Sequence, residues 1–113
     1  MVSDNKSSIL KMSKRSQKNQ TCHDISVRRR ASQLETYGWH VQADLPDFDK
    51  PPTLNVGGKG VRPDIYAVKG KKKRIVEVET QETRFRDKPQ HRLLREYGRN
   101  QKNTEVNVRT CYF

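Results

Sequence analysis

The sequence predicts an α/β fold in which a small mixed β-sheet packs against two helices. Three observations predict this fold. Residues 24–38 have the apolar spacing of a helix, several later segments alternate with period two, and a second helical segment separates the last two strands. A helix between two neighbouring strands forms a crossover, so we expect the last two strands to be parallel. The predicted element order is αβββαβ.

The first half of the chain contributes the first helix, one strand and a loop. The apolar residues of the helix fall at positions i, i+4 and i+7: Val27, Ala31 and Leu34. Asp24 or Ser26 can cap its start, and Gly38 ends it. The alternating stretch "WHVQADL" predicts a strand with one solvated face. Residues 46–60 contain three prolines and three glycines without periodicity, which predicts a loop that is either functional or a tolerated insertion.

The second half predicts a hairpin, a helix and a closing strand. In "VRPDIYAVKGKKKRIVEVET" two apolar runs flank Gly70-Lys71, and glycine at the first central position suits a type II′ turn. Asp87 can cap a helix that begins at Lys88-Pro89, runs to Tyr97 and ends at Gly98. The final stretch "NTEVNVRTCYF" alternates as a strand does.

The charge of the chain points to a polyanionic partner. The 113 residues include 24 Lys and Arg against 13 Asp and Glu, a net charge of +11. Such a field favours nucleic acid, although a solvated basic surface without a specific partner is the alternative. Residues 1–22 predict a disordered basic arm, and residues 23–113 predict one folded domain.

Targeting signals and metal-ligand spacing are both absent from the sequence. No run approaches the roughly 18 apolar residues of a membrane span, and none resembles a secretory signal, so we expect a cytoplasmic protein that does not contact a membrane. Cys22 and Cys111 lie far apart without a CxxC spacing, which argues against a zinc site. We expect His40 and His91 at the surface.

The hairpin carries acidic residues within two half-buried strands. A two-residue loop at Gly70-Lys71 places Asp64 directly opposite Glu77, with their Cβ atoms about 5 Å apart. Glu79 points to the same face as Glu77. Opposed like charges destabilise a hairpin, and a divalent cation would offset their repulsion. The alternative is a polar strand face on which Glu77 and Glu79 pair with nearby Lys and Arg.

The stretch "RPDIYAVKGKKKRIVEVET" resembles the core of the PD-(D/E)xK nuclease superfamily, which includes restriction endonucleases and archaeal Holliday-junction resolvases. Pro63-Asp64 matches the first motif element, and residues 77–79 match the second. The resemblance implies a restriction endonuclease-like α/β domain that hydrolyses phosphodiester bonds in DNA with Mg²⁺ or Mn²⁺. The implied metal ligands are Asp64, Glu77 and the carbonyl of Val78. The implied catalytic residues are Asp64, Glu77, Glu79 and Gln81.

The sequence departs from the family pattern at two places. Glu79 stands where the family motif has lysine, and a glutamate can neither donate a hydrogen bond when ionised nor carry positive charge. Some family members have glutamate there as a base or an extra ligand, and others supply a cation from elsewhere. Many members also carry a glutamate on the first helix, where this chain has Val27, with Asp24 nearly one turn before and Glu35 two turns after.

Basic residues near the motif are candidates for nucleic-acid contact. They lie at the hairpin tip, after the hairpin and on the second helix: Lys71, Lys72, Lys73, Arg84, Lys88, Arg92 and Arg95. Two functions therefore remain open, a metal-dependent endonuclease and a catalytically inactive nucleic-acid-binding module on the same fold, with a protein-interaction domain as a third alternative. The resemblance also suggests a homodimer, because cutting two strands takes two sites.

Overall fold

A computed structural model describes residues 16–81, 83 and 88–111, with residue 88 described through its backbone alone. Within these residues the chain forms two helices and six strands. In chain order they are α1 (Gln17–Thr36), β1 (His40–Ala43), β2 (Leu54–Val56), β3 (Lys59–Val61), β4 (Ile65–Lys69), β5 (Lys72–Glu79), α2 (Lys88–Arg99) and β6 (Thr104–Thr110).

The main sheet has four strands in the order β1-β4-β5-β6. β1 and β5 both run antiparallel to β4, and β6 runs parallel to β5. The predicted parallel crossover through α2 is therefore confirmed, and the domain is a small mixed α/β structure. β2 and β3 form a separate antiparallel hairpin.

Two apolar clusters lie on opposite faces of the sheet, because consecutive residues of a strand point to opposite sides. Val76 and Val78 of β5 belong to the cluster under α1. Ile75 belongs to the other cluster, together with Leu94 of α2. Each helix therefore covers one face, and any polar side chain next to Ile75 on its face of β5 points toward the α2 side.

Helix α1 begins earlier than the sequence predicted. The N-cap is Ser16, whose hydroxyl accepts a hydrogen bond from the backbone N–H of Asn19. The predicted caps, Asp24 and Ser26, lie within the helix. The helix thus includes residues 17–22, which the sequence analysis assigned to the basic arm. Asn19 is buried and extends the buried stripe of the helix by two turns before Val27. The rest of the predicted arm, residues 1–15, lies outside the described residues.

The segment predicted as a loop, residues 46–60, contains secondary structure. β2 and β3 pair across Gly57-Gly58, both of which have positive φ angles. A turn with both central residues in this region closes a two-residue hairpin without steric cost when both are glycine. Leu54 and Val61, opposite each other in this hairpin, are buried in the α2-side cluster. The alternation of Leu54 and Val56 before the two glycines is the signal that sequence reasoning missed.

The predicted hairpin register is confirmed. Ile65 pairs with Val76 and Lys69 pairs with Lys72. Gly70 has a φ of +62°, as the first central position of a type II′ turn requires. The register places Asp64, just before β4, opposite Glu77 of β5.

Helix α2 runs past Gly98 to Arg99, so the predicted end at Gly98 is wrong by one residue. Gly98 is needed for another reason, because a Cβ atom there would lie 2.6 Å from Cγ2 of Val106 on β6. The glycine therefore allows α2 to approach the edge strand closely. The predicted cap, Asp87, lies outside the described residues.

A disulfide that the sequence analysis did not predict joins Cys22 of α1 to Cys111 beyond β6. The two residues are 89 positions apart in sequence, and their Cα atoms are 6.2 Å apart. Disulfides are typical of oxidising compartments and rare in the cytosol, so this bond does not support the predicted cytoplasmic location. That location stays a prediction. In the described part of the chain, neither helix is long and apolar enough to span a membrane.

Candidate functional site: the carboxylates at the end of the β4–β5 hairpin

Two carboxyl groups meet at the end of the hairpin opposite its turn. Asp64 and Glu77 form a side-chain hydrogen bond, and both are largely buried. The Glu77 residue exposes only 2% of its surface. The structure thus brings together the two acids that the hairpin register predicted to be opposite.

The carboxylate of Asp64 is oriented by one backbone donor and one histidine. Its Oδ2 accepts the backbone N–H of Val78 at 2.8 Å and lies 3.2 Å from Nε2 of His23. Burial alone would raise the pKa of Asp64. The hydrogen bond and charge of His23, together with the Val78 N–H, outweigh burial and hold the pKa below 3.8.

Glu77 is the group that carries a proton. Burial is the main cause that raises its pKa from 4.5 to about 10, and the negative charge and hydrogen bond of Asp64 raise it further. Nε2 of Gln90 on α2 donates to Oε2 of Glu77 at 2.9 Å and acts in the opposite direction. At neutral pH the pair therefore consists of an ionised Asp64 and a protonated Glu77.

The carbonyl of Val78 points to the side of β5 on which Asp64 lies. The N–H and C=O of one strand residue point to the same side, and the Val78 N–H is bonded to Asp64. The carbonyl of the next residue, Glu79, points the other way and accepts the N–H of Cys111. Val78 can therefore present its carbonyl beside Asp64, as a third metal ligand would have to.

Glu79 lies on the same face as Glu77, as predicted, but is held by residues after the strand and on α2. Its Oε2 accepts the hydroxyl of Thr83 at 2.7 Å. Its Oε1 lies 2.7 Å from Nε2 of His91, at ion-pair distance without the alignment of a hydrogen bond. Glu79 is 2% exposed and adds to the negative charge that raises the pKa of Glu77.

Two histidines at this site were missed by sequence reasoning. His91 was expected at the surface and is 7% exposed, because α2 turns it toward Glu79. His40 is exposed, as expected. His23 occupies the buried stripe of α1, one turn before Val27, and contacts Asp64. The signal available in the sequence was this spacing, since residues 19, 23 and 27 are each four apart on one helix face.

Helix α1 therefore presents His23, one turn before Val27, to Asp64. Neither Asp24 nor Glu35 reaches Asp64. Asp24 lies 3.1 Å from Nδ1 of His23 through its Oδ1, so it contacts the histidine from the side opposite Asp64. The result is a chain of contacts that runs from Asp24 through His23 to Asp64.

Gln81 does not join the carboxylates. Strand β5 ends at Glu79, and hydrogen bonds join Thr80 to Thr83 directly after it. Gln81 would share the face of Glu77 only if the strand continued past Glu79, and it is instead exposed after the end of the strand. Its catalytic role stays a prediction.

The predicted nucleic-acid contacts lie at different distances from the acids. Lys71, Lys72 and Lys73 are at the hairpin turn, and Glu77 lies five positions after Lys72 on β5, roughly 17 Å along a strand. Arg92 and Arg95 are exposed on α2, the helix that also carries Gln90. Arg84 and the side chain of Lys88 lie outside the described residues.

The residue types at the site suit a hard cation better than a soft one. Among the described residues no group of three or more His, Cys, Asp and Glu side chains is arranged to hold a metal ion. The candidate donors are instead the Asp64 carboxylate, the Glu77 carboxyl, which would have to lose its proton to bind a cation, and one backbone carbonyl. Magnesium is often held by one or two carboxylates, with water and substrate phosphate completing its shell.

Comparisons with known proteins do not assign the chain to a family. No protein-family model matches the sequence, and no curated protein matches it significantly.

Proposed function

We propose that the chain is a metal-dependent endonuclease-like domain of the PD-(D/E)xK type that hydrolyses phosphodiester bonds in DNA. The observation that carries the proposal is the buried, hydrogen-bonded pair of Asp64 and Glu77. Burying two carboxyl groups side by side is costly unless a proton or a cation compensates. In a chain with a net charge of +11, lysine or arginine could have replaced one of them.

The element order supports the same proposal. If the β2–β3 hairpin is counted as an insertion, the remaining elements follow the order αβββαβ, with the acids on the central hairpin. The resemblance to restriction endonuclease-like domains rests on this order and on the spacing between Asp64 and Glu77.

In the proposed site, Asp64, Glu77 and the Val78 carbonyl would hold Mg²⁺ or Mn²⁺, and Glu77 would release its proton to solvent when the cation binds. When bound, the metal would polarise a phosphodiester and lower the pKa of a coordinated water. His23 and the Val78 N–H orient Asp64, and Gln90 orients Glu77. Glu79 is kept beside Glu77 by Thr83 and His91, and it occupies the third catalytic position of the motif.

The proposal is tested by incubating the purified protein with plasmid DNA and Mg²⁺ or Mn²⁺. We expect nicking that a chelator stops and that Asp64→Ala reduces by about 10²-fold or more, since metal-assisted catalysis is worth several kcal/mol. Asp49→Ala is the matched control, because it removes an exposed carboxylate outside the site. Equal cleavage by Asp64→Ala and the wild type would show that these residues are not the active site.

A second candidate function is a nucleic-acid-binding module without catalysis. The proton on Glu77 already removes the repulsion between the two carboxyl groups. Without a metal, Asp64 accepts a hydrogen bond from the Val78 N–H, and Glu77 accepts one from Gln90. The motif lysine is also replaced by Glu79. This function predicts DNA binding that neither chelator nor Asp64→Ala changes, with no cleavage under any metal tested.

A further inference from the structure

A cleft between α1 and β6 is lined by arginines that the sequence analysis did not assign to a partner. It measures about 350 Å³, on the order of ten water molecules. Arg29 and Arg30 line it from α1, and Arg109 lines it from β6. Ser26 and Gln33 add polar groups on the helix side.

Neighbouring acidic side chains neutralise little of the positive charge of these arginines. None of Arg29, Arg30 and Arg109 forms an ion pair with a carboxylate within the described residues. Nε of Arg30 is buried and has no hydrogen-bond partner in the described part of the chain. Burial lowers the pKa of Arg30, the positive charges of Arg109 and Arg74 lower it further, and the negative charge of Glu105 offsets them only in part. A bound anion would offset this repulsion.

The neighbouring Arg74 also has a buried Nε without a hydrogen-bond partner among the described residues, but it is paired with an acid. Its guanidinium lies 5.0 Å from the ring centroid of Trp39 and donates to Oε1 of Glu105 at 2.9 Å. Glu105 therefore compensates Arg74 on the same sheet face. This leaves Arg30 and Arg109 as the pair best placed to bind an external anion.

The cleft continues over the edge of the sheet. A second groove shares Arg30 and Arg109 with the first and extends to Arg95 on α2. β6 is the edge strand of the main sheet in the described residues, so this band of positive charge lies along an open edge. A continuous basic track suits an extended polyanion better than a small one.

We infer that the cleft between α1 and β6 seats a backbone phosphate of bound nucleic acid, held by Arg30 and Arg109. The guanidinium groups match the geometry of phosphate oxygens and can bind them through two parallel hydrogen bonds. The inference rests on the proposed function for the identity of the polyanion. It does not depend on cleavage, because the arginines bind phosphate without a metal.

The test measures binding of a fluorescein-labelled DNA duplex by anisotropy, in a chelator, over a range of salt concentrations. We expect Arg30→Gln/Arg109→Gln to weaken binding by about 10-fold to 100-fold, because both charged hydrogen-bond donors to the phosphate are lost. The slope of log affinity against log salt should become shallower by about 1, because the two arginines together neutralise one phosphate.

The matched control is Arg28→Gln/Arg62→Gln, which removes the same charge from exposed positions outside the cleft. We expect it to weaken binding by less and to leave the salt slope nearly unchanged. Circular dichroism checks that both double variants remain folded. Equal losses and equal slopes in the two double variants would overturn the inference, because the net charge alone would then explain binding.

A second probe separates nucleic acid from a small anion. If inorganic pyrophosphate binds in the cleft and the duplex does not bind the wild type at low salt, the nucleic-acid assignment is wrong. All of these binding measurements omit metal, so they do not depend on cleavage. If the plasmid assay with Mg²⁺ or Mn²⁺ shows no cleavage, the proposed catalysis is wrong, but the phosphate site is unaffected.

Discussion

At the level of single residues, the proton on Glu77 is the most unusual feature of the protein. Its carboxyl group is buried beside Asp64, and these two causes raise its pKa to about 10. Folded Glu77 therefore keeps its proton far above the pH at which unfolded Glu77 loses it. The folded state binds more protons than the unfolded state between these pH values, so the free energy of unfolding falls as pH rises through them.

Glu77→Gln tests this directly. Glutamine can still donate to Asp64 and accept from Gln90, but it does not titrate. In a chelator at neutral pH, we expect the variant to be more stable than the wild type by up to about 3 kcal/mol, with the difference growing as pH rises above 4.5. Urea unfolding at several pH values measures it.

The control for this experiment is Glu96→Gln, at an exposed position on α2. It should keep the pH dependence of the wild type. A Glu77→Gln variant whose stability follows the same pH curve as the wild type would contradict a protonated Glu77. Both proteins should lose stability as the pH falls below 3.8, because Asp64 has a lowered pKa in the folded state. Protonation of Asp64 weakens its contacts with His23 and the Val78 N–H.

At the level of elements, the contact between α2 and β6 depends on one glycine. Gly98 lies inside α2, where glycine costs about 1 kcal/mol relative to alanine. It is kept there because a Cβ atom would overlap Cγ2 of Val106. β-branched Val106 has few rotamers with which to move aside.

Gly98→Ala should therefore lower the free energy of unfolding by about 1–3 kcal/mol, despite the better helix propensity of alanine. Thermal or urea unfolding measures it. In the double variant Gly98→Ala/Val106→Ala the overlapping methyl group is absent, so we expect the two losses to be less than additive. A stabilised Gly98→Ala variant would mean that α2 and β6 are farther apart than described.

The elements around the site differ in how well the sequence predicts them. The β4–β5 hairpin follows from local information, since Gly70-Lys71 sets the turn and the turn sets the register of Asp64 against Glu77. The length of α1 was underestimated because its first two turns are polar. Asn19 and His23 are buried there by contacts with the rest of the fold, which residue type alone does not indicate.

At the level of the whole molecule, the Cys22–Cys111 disulfide joins the first helix to the end of the last strand. Cys22 precedes His23, and the backbone N–H of Cys111 donates to the carbonyl of Glu79. The bond therefore ties together two segments that each contribute to the candidate site.

Reduction of this disulfide should lower the free energy of unfolding by about 2–5 kcal/mol, because closing a loop of 89 residues restricts the unfolded chain. Urea unfolding with and without reductant measures the effect. The variant Cys22→Ser/Cys111→Ser should resemble the reduced protein and should not respond to reductant. An oxidised wild type that is no more stable than this variant would contradict a structural role for the bond.

The sequence by itself determined the α/β class, the parallel crossover, and the placement of Asp64 opposite Glu77, since each follows from periodicity or from one turn. Only the tertiary structure decided that His23 and His91 reach the carboxylates, that Cys22 bonds Cys111, and that Arg30 and Arg109 share a cleft. These contacts join residues that are distant in sequence. They depend on how helices and strands pack, which no local pattern specifies.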